Sequence, residues 1–428
     1  MAQRIFGIAA LFLAAGLSPT ATRGPVAPAP GSAATNAHLE YVQNQRIVAV
    51  GDVHGAFDAF VGILQSAGLI DGKRQWSGGN AIFVQTGDVF DRGSGVRDAL
   101  DLLMRLQDEA KRAGGRVEPL LGNHEMMNLL SEYRDVSASA YTAFADARSA
   151  DRQRRAYDDF VKVLKRRAKP PEIPAREEWN KTHPPGFVEY TEALGPRGKY
   201  GKWLRGNAVA ETIGTTAFMH AGVNPASPAT LDEINRTAAS EIAKWDAAKA
   251  ALVEAQIVPP VFTLPEAIDA TLVEYQRIAD ALKAGAAPGD HVTREFVDRL
   301  QFVLQIDKTS LLAGDGPLWF RGFAQWPDTE EAQAAALATR LGVGRFVTSH
   351  TPLPQGRIRV RFGNRMFLID TGMLASYFKE GRASALELQG DRITAIYPDS
   401  REVLVPSAAA HLWRRPAPAT VLAAAAAR

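Results

Sequence analysis

Residues 46–55 read RIVAVGDVHG, and this stretch decides the fold. Its first half is short and β-branched, which is typical of a buried strand, and it ends in glycine and polar residues. Apolar residues at helical spacing follow between positions 57 and 64. The stretch therefore predicts a strand, a polar turn that carries Asp52 and His54, and an amphipathic helix.

The same arrangement returns twice along the chain. Residues 81–93 read AIFVQTGDVFDRG and residues 117–125 read VEPLLGNHE, and each is an apolar run that ends in a polar turn. Strand, turn and helix at nearly equal spacing predict parallel βαβ units, whose turns meet at the carboxyl edge of the sheet. We therefore expect the polar residues of these turns to converge: Asp52, His54, Asp88, Asn123 and His124.

Two further histidines end apolar runs in the same manner. Residues 216–222 read TAFMHAG and residues 345–352 read RFVTSHTP, so His220 and His350 each follow a predicted strand. A last apolar run leads into Asp370 in the sequence MFLIDTGM at residues 366–373.

The composition excludes several classes of site. The 428 residues include no cysteine, which excludes a disulfide scaffold, a thiolate metal site and a cysteine nucleophile. The formal net charge of +2 does not support a nucleic-acid partner, because such proteins normally carry a strong basic excess. Any metal ion must be bound by histidine, carboxylate, amide or water, which favours hard or borderline cations.

The spacing of these residues suits a site for two metal ions. Two neighbouring cations repel each other and need an anionic bridging ligand, and Asp88 lies between the other motifs in order. One metal shell would contain Asp52, His54 and Asp88. The other would contain Asp88, Asn123, His220 and His350. A water held between the metals would lose its proton near neutral pH and act as the nucleophile.

Three residues beside these ligands could protonate the leaving group and bind the phosphate during hydrolysis. His124 is adjacent to Asn123 and would give a proton to the leaving group, while Asp91 would orient it as an imidazolium. Arg92 offers a bidentate fork for phosphate oxygens.

Each motif alone is more typical of an ordinary turn or of a buried histidine. Together, GDVHG, GDVFDRG, GNHE, HAG and SHTP resemble the calcineurin-like metallophosphoesterases, and more closely their phosphoprotein phosphatase branch. Within that branch, GPLWFR at residues 316–321 and DTGM at residues 370–373 resemble the Shewanella-like bacterial phosphatases. The resemblance implies an α/β fold, a four-layer α-β-β-α sandwich, and two metal ions chosen from Mn, Fe and Zn.

The resemblance also implies roles for single residues. It assigns the two metal shells as above, His124 with Asp91 as proton donor, and Arg92 as a phosphate clamp. Arg321 matches a second clamp through a shorter motif. The sequence departs from the family pattern at Ala221, where a glycine is usual.

The chain is predicted to divide into four parts. Residues 1–22 are an export signal, and residues 23–45 a Pro/Ala-rich linker. Residues 46–395 form the metallophosphoesterase domain, interrupted by helical insertions at 131–205 and 227–310. Residues 396–428 hold a strand remnant and an Ala-rich tail. The alternative for residues 1–22 is a buried N-terminal helix. The signal predicts a periplasmic or secreted protein that keeps no stable membrane anchor after cleavage.

The sequences of the two predicted insertions say less about function than the motifs do. Residues 148–169 are rich in Lys and Arg, which is typical of a solvated helix face. The alternative is a cap beside the metals that attracts anionic substrate. In the second insertion, four residues at helical spacing predict one face of an accessory helix: Leu272, Tyr275, Ile278 and Leu282.

The leading prediction is hydrolysis of phosphomonoesters in a phosphorylated protein or peptide, at phosphotyrosine or at phosphoserine and phosphothreonine. One alternative is a diadenosine polyphosphate hydrolase of the same superfamily, which His54 and the DRG motif disfavour. The other is a catalytically silent metal-binding protein, against which the full set of expected ligands argues. The sequence does not indicate an oligomeric state.

Overall fold

The computed structural model describes residues 45–167 and 171–407. The predicted export signal, the linker up to residue 44 and the Ala-rich tail after residue 407 lie outside the described residues, so these remain predictions from sequence. Within the described ranges, no helix combines the length and the apolar character that crossing a membrane requires.

Two β-sheets form the centre of the described chain. Their strands are β1 (Ile47–Val50), β2 (Ile82–Gln85), β3 (Arg116–Pro119), β4 (Ala210–Ile213), β5 (Thr216–Met219), β6 (Arg345–Thr348), β7 (Arg359–Arg361), β8 (Met366–Leu368), β9 (Ala385–Gln389), β10 (Arg392–Ile396) and β11 (Arg401–Val405). The first sheet has the strand order β11-β10-β9-β1-β2-β3, and the second has the order β4-β5-β6-β8-β7.

The α-helices of the described residues all lie between β1 and β6 in the chain. They are α1 (Phe57–Ser66), α2 (Val96–Arg112), α3 (Asn123–Leu129), α4 (Ala138–Thr142), α5 (Ser149–Lys165), α6 (Arg176–Thr182), α7 (Phe187–Leu194), α8 (Lys199–Leu204), α9 (Leu231–Glu254), α10 (Leu264–Lys283), α11 (Arg294–Leu304), α12 (Gly322–Gln325) and α13 (Glu331–Leu341).

The parallel pairs occur where the sequence predicted them. Strand β1 pairs in parallel with β2, and β2 with β3, which confirms the two consecutive βαβ units. In the second sheet, β5, β6 and β8 are parallel neighbours. The carboxyl ends of these strands meet at one edge, and the turns that follow them carry the polar motifs.

The alternation of side chains along β1 shows why the molecule is layered. Ile47 and Ala49 are buried in the core between the two sheets, which also contains Val347 of β6. Val48 and Val50 point to the opposite face and belong to the core that the helices cover. Because side chains alternate with period two along a strand, both faces of the sheet are apolar. The result is the predicted α-β-β-α layering.

The helices of the second insertion are part of the main core. Trp245 of α9 is fully buried, and its indole N–H donates to the backbone oxygen of Leu129, 3.1 Å away, at the end of α3. The predicted apolar face of α10 is only partly buried. Ile278 is buried, whereas Leu272 and Leu282 are exposed, because α10 turns Ala267 and Ala270 inward instead.

Glu125, near the start of α3, joins two of the polar turns. Its carboxylate accepts the backbone N–H groups of Asp88, Val89 and Gly122, each at 2.7 Å. The side chain is buried, so these donors have little access to water. The turn after β2 and the turn after β3 are therefore held together by one side chain.

We expect Trp245→Ala to lower the free energy of unfolding by about 3–5 kcal/mol, because it removes a large buried ring from the core. Trp245→Phe should cost less, since it keeps most of the packing and loses one hydrogen bond. Urea denaturation measures both. Leu282→Ala, on an exposed position of the same insertion, is the control and should change stability by less than about 0.5 kcal/mol. A separate unfolding transition for the insertion would contradict this prediction.

We expect Glu125→Ala to cost at least about 3 kcal/mol, because three buried backbone donors lose their partner and each unsatisfied donor costs about 1–3 kcal/mol. The matched control is Glu118→Ala on β3, whose partly exposed carboxylate pairs with Arg116 and should cost less than about 1 kcal/mol. Equal stabilities of the two variants by denaturation would refute the role of Glu125.

Candidate active site

The carboxyl ends of the parallel strands carry all six predicted metal ligands to one place. Asp52 and His54 follow β1, Asp88 follows β2, and Asn123 opens α3 after β3. In the second sheet, His220 follows β5 and His350 follows β6. All six side chains are buried.

The Asp88 carboxylate lies at the centre of this cluster. Its Oδ2 is 3.3 Å from Nε2 of His220, 3.7 Å from Nε2 of His54 and 3.8 Å from Nε2 of His124. Asp52 contributes a second carboxylate, whose Oδ2 is 3.7 Å from Nε2 of His54. Asp88 Oδ2 therefore faces the unprotonated Nε2 atoms of histidines in both halves of the cluster, as a bridging ligand would.

His220 joins the second half of the cluster. Its Nε2 is 2.8 Å from the Asn123 side-chain oxygen and 3.1 Å from Nδ1 of His350. These atoms and the Asp88 carboxylate are all electron-pair donors when the imidazoles are neutral. Donor atoms packed this closely repel one another unless a proton or a cation lies between them.

Backbone carbonyls fix which ring nitrogen of each histidine faces the cluster. Nδ1 of His54 donates to the oxygen of Phe90 at 2.8 Å, and Nδ1 of His220 donates to the oxygen of Thr86 at 3.0 Å. Nε2 of His350 donates to the oxygen of Trp319 at 3.2 Å. Because a carbonyl only accepts, each bonded nitrogen carries the proton and the other nitrogen keeps its lone pair for a ligand.

The electrostatics of the cluster favour added positive charge. Burial lowers the pKa of His220, but Asp88 and Asp52 outweigh it and raise that pKa to about 9. Burial and the neighbouring His220 hold the pKa of His350 far below its usual value, so His350 is neutral. The raised pKa of His220 reports a negative potential that a bound cation would also neutralise, and the neutral His350 keeps a lone pair for such a cation.

The donor set therefore fits two metal ions. His54, Asp88 and His124 place ligand atoms within 4.8 Å of one another, and so do Asp88, His220 and His350. Asp88 is common to both groups, in agreement with its predicted bridging position. His124 also lies within reach of the first group, although the sequence assigned it to proton transfer.

The environment of His124 favours the proton-transfer role. Its Nδ1 is 2.6 Å from Asp91 Oδ2, and its Nε2 is 3.3 Å from Arg92. Burial lowers the pKa of His124, but Asp88 and the hydrogen bond to Asp91 outweigh it and raise that pKa to about 8. A histidine that is charged near neutral pH is better suited to donate a proton than to bind a cation.

Several site residues have a left-handed backbone, which is uncommon for any residue except glycine. The φ angles are +46° at His54, +59° at Asp88, +71° at Asp91, +66° at Arg92 and +69° at His350. The turns also pack closely. A Cβ on Gly87, where φ is +94°, would lie 2.4 Å from the backbone nitrogen of Gly122. Only glycine fits there.

A pocket of about 240 Å³ opens beside the cluster. Arg92 and Arg321 both line it, as the sequence predicted. The Arg92 guanidinium donates to Nε2 of His54 at 2.6 Å, which is the nitrogen that faces the carboxylates. Arg321 donates to the backbone oxygen of His350 at 3.0 Å and to the hydroxyl of Thr351 at 3.1 Å.

Aromatic side chains form the outer wall of this pocket. Trp319, Tyr377 and Phe378 line it, and Tyr377 is 59% exposed. The Tyr377 ring lies 4.5 Å from the Arg92 guanidinium, in a cation–π contact. Tyr377 and Phe378 could not be predicted as pocket residues, because the segment that carries them has no periodicity or motif of its own.

Two further residues, Asp370 and Glu125, lie at the site although no site role was predicted for them. Asp370 is buried after β8, and burial together with nearby Asp52 raises its pKa well above the usual value. It follows a strand just as Asp52 and Asp88 do, so the same rule would have placed it here. Glu125 belongs to the GNHE motif, but its contacts with the other turns are visible only in three dimensions.

The basic segment of the first insertion does not reach this pocket. None of the described residues between 148 and 167 lines it. Arg152 instead pairs with Asp146 and with Glu189, and Arg154 pairs with Asp151 on its own helix. These contacts favour a solvated helix face over a substrate cap.

Comparison with known proteins agrees with this geometry. Residues 45–241 match the family model described as calcineurin-like phosphoesterase. An uncharacterised protein of Schizosaccharomyces pombe is 25% identical over 337 residues, which cover 78% of this chain and 75% of that protein. The Shewanella-like protein phosphatase 2 of Arabidopsis thaliana is 41% identical over 100 residues, but these cover only 23% of this chain and 26% of that protein.

The fold is also similar to solved structures. A cold-active protein-tyrosine phosphatase of a psychrophilic Shewanella species superposes with a TM-score of 0.54 at 24% identity, over 85% of this chain and 84% of that one. This likeness supports the arrangement of sheets and helices. The match of residues 45–241 to the calcineurin-like phosphoesterase family and the paired His/Asp clusters agree with this arrangement.

Proposed function

We propose that this protein is a metal-dependent phosphatase that hydrolyses phosphomonoesters in proteins or peptides, with phosphotyrosine as the preferred ester. The observation that carries the proposal is the pocket, where two arginines and three aromatic rings stand beside the buried His/Asp clusters. The similarity to a protein named as a protein phosphatase supports a protein substrate.

The two arginines supply binding for the phosphate group. A guanidinium presents paired N–H donors that match two phosphate oxygens, and hydrogen bonds between charged groups are stronger than neutral ones. Arg321 is anchored to the backbone at His350, so its position is fixed relative to the cluster. Arg92 is held between His54 and the ring of Tyr377.

Two metal ions complete the site. Asp52, His54 and Asp88 would hold one ion, and Asp88, Asn123, His220 and His350 would hold the other. When bound, the ions supply Lewis-acid activation of the phosphate ester and of water. The same donors suit Mn, Fe and Zn, so the proposal extends to any of these metals.

His124 supplies the proton that the leaving group needs. Its Nδ1–H is held by Asp91 Oδ2 at 2.6 Å, so the ring is oriented and Nε2 faces the pocket. A proton on Nε2 can then pass to the ester oxygen as the bond to phosphorus breaks. Asp91 stabilises the charged ring before the transfer.

The aromatic wall favours a tyrosyl ester over a seryl ester. A phosphate placed between Arg92 and Arg321 leaves the group on its ester oxygen against Trp319, Tyr377 and Phe378. A phenyl ring can pack edge-to-face or offset against these rings, and such pairs contribute about 0.5–1.5 kcal/mol beyond their buried area. The short side chains of serine and threonine cannot make these contacts.

We expect turnover of p-nitrophenyl phosphate in the presence of Mn²⁺ and the loss of this turnover on treatment with a chelator.

His124→Asn should reduce kcat by about 10²- to 10⁴-fold, the usual contribution of a general acid. Asp88→Asn should reduce both activity and bound metal, because the bridging charge is gone. Steady-state kinetics and elemental analysis measure these effects.

The matched control is His291→Asn, which changes an exposed histidine between α10 and α11 that is not part of the pocket. It should retain wild-type activity. Full activity in the metal-free protein, or in Asp88→Asn, would show that the clusters are not the catalytic centre.

We expect Tyr377→Ala to raise KM about tenfold for a phosphotyrosine peptide and less for phosphoserine and phosphothreonine peptides of the same sequence. The physical reason is the loss of ring packing, worth about 1.4 kcal/mol for a tenfold change. Val403→Ala, an exposed apolar residue on β11, is the control. An equal rise in KM for all three peptides would contradict aromatic selection.

The same panel should include diadenosine tetraphosphate. Turnover of this dinucleotide in preference to every phosphopeptide would replace the protein-phosphatase proposal with the dinucleotide hydrolase alternative. Stoichiometric metal binding without turnover of any substrate would instead favour the alternative of a catalytically silent metal-binding protein.

A further inference from the structure

A chain of buried hydrogen bonds connects the first insertion to His124. The hydroxyl of Tyr190, on α7, donates to Oδ1 of Asn128 at 2.6 Å. The Asn128 amide donates to Asp91 Oδ1 at 2.9 Å, and Asp91 Oδ2 is 2.6 Å from Nδ1 of His124. All four residues are at most 3% exposed. We call this series of contacts the Tyr190 relay.

The direction of each hydrogen bond in the Tyr190 relay is fixed. An ionised Asp91 only accepts, so the amino group of Asn128 must face it, and a second bond to the His124 backbone oxygen at 2.9 Å holds the same group. The Asn128 oxygen therefore faces Tyr190, whose hydroxyl must donate. Burial and the charge of Asp91 raise the pKa of Tyr190 well above its usual value, so the donor proton stays in place.

Aromatic packing holds Tyr190 rigidly. Its ring lies 5.0 Å from Phe144, 5.2 Å from Tyr141 and 5.6 Å from Tyr133, each in an edge-to-face contact. All of these residues belong to the first insertion. The hydroxyl therefore has a fixed position that the insertion sets, although the insertion's basic helix does not reach the pocket.

We propose that Tyr190 is a positioning residue for His124, which it orients through Asn128 and Asp91. The inference rests on the proposed function, because it assumes that His124 protonates the leaving group. Without the Tyr190 hydroxyl, the Asn128 oxygen has no buried donor, and the amide loses one of the three hydrogen bonds that fix its orientation. The Asp91 carboxylate is then held less firmly and orients the imidazole less precisely, and small errors of position in a catalytic group cost large factors in rate.

The predicted effect depends on the leaving group. Phenol is a poorer leaving group than p-nitrophenol and has more need of a proton from His124. We expect Tyr190→Phe to reduce kcat about tenfold for phenyl phosphate and about twofold for p-nitrophenyl phosphate, with KM nearly unchanged, because the change affects the transition state and leaves phosphate binding intact. Asn128→Ala should show the same dependence on the leaving group.

The matched control is Tyr200→Phe. Tyr200 is a buried tyrosine of the same aromatic cluster, 5.6 Å from Phe144, but its hydroxyl donates to Asp101 at 2.9 Å. It should give wild-type rates with both esters. Thermal unfolding of each variant checks that the fold is retained.

A double-mutant cycle with His124→Asn gives the decisive readout. If the Tyr190 relay acts through His124, Tyr190→Phe should cause no further loss in the His124→Asn background. A loss that persists in that background, an equal loss with both esters, or no loss at all would overturn the inference. If the wild-type protein hydrolyses neither ester, the proposed function itself fails, and the two failures are thereby distinguished.

Discussion

The negative charge of Asp88, buried where the two sheets meet, is the constraint on which the site depends. Three imidazole nitrogens lie within 3.8 Å of its Oδ2, and they come from three separate turns. A buried carboxylate is costly unless it is paired, so the surrounding groups must supply positive charge or hydrogen bonds. The sheets bring those groups together, Glu125 ties the turns, and backbone carbonyls orient the rings.

Much of this architecture was predictable from sequence, because the governing rules are local. Short β-branched runs that end in polar turns predicted the parallel strands, and the carboxyl edge of such strands predicted where Asp52 and Asp88 would meet. The six predicted ligands do lie together, and Arg92 and Arg321 do line one pocket. Their roles in binding and catalysis remain predictions, as do the domain boundaries and the export signal.

Contacts between distant segments could not be predicted. Tyr190 and Asn128 are 62 positions apart, and no spacing rule connects a tyrosine of an insertion with an amide after GNHE. The burial of Trp245 against α3 and the inward turn of α10 depend on how helices pack, which periodicity alone leaves open. Leu272 and Leu282 illustrate this limit, because helical spacing marks a face without saying which neighbour covers it.

The left-handed turns that carry the site also limit which amino-acid substitutions can stabilise the molecule without loss of the site. A non-glycine residue in that conformation costs about 1–3 kcal/mol, and five such residues lie at the site, whereas a folded protein is stable by only about 5–15 kcal/mol in total. Glycine would relax the strain at any of these positions and would remove a functional side chain each time. Stability alone would therefore favour glycine at these positions, and the side chains found there are explained by the chemistry of the site instead.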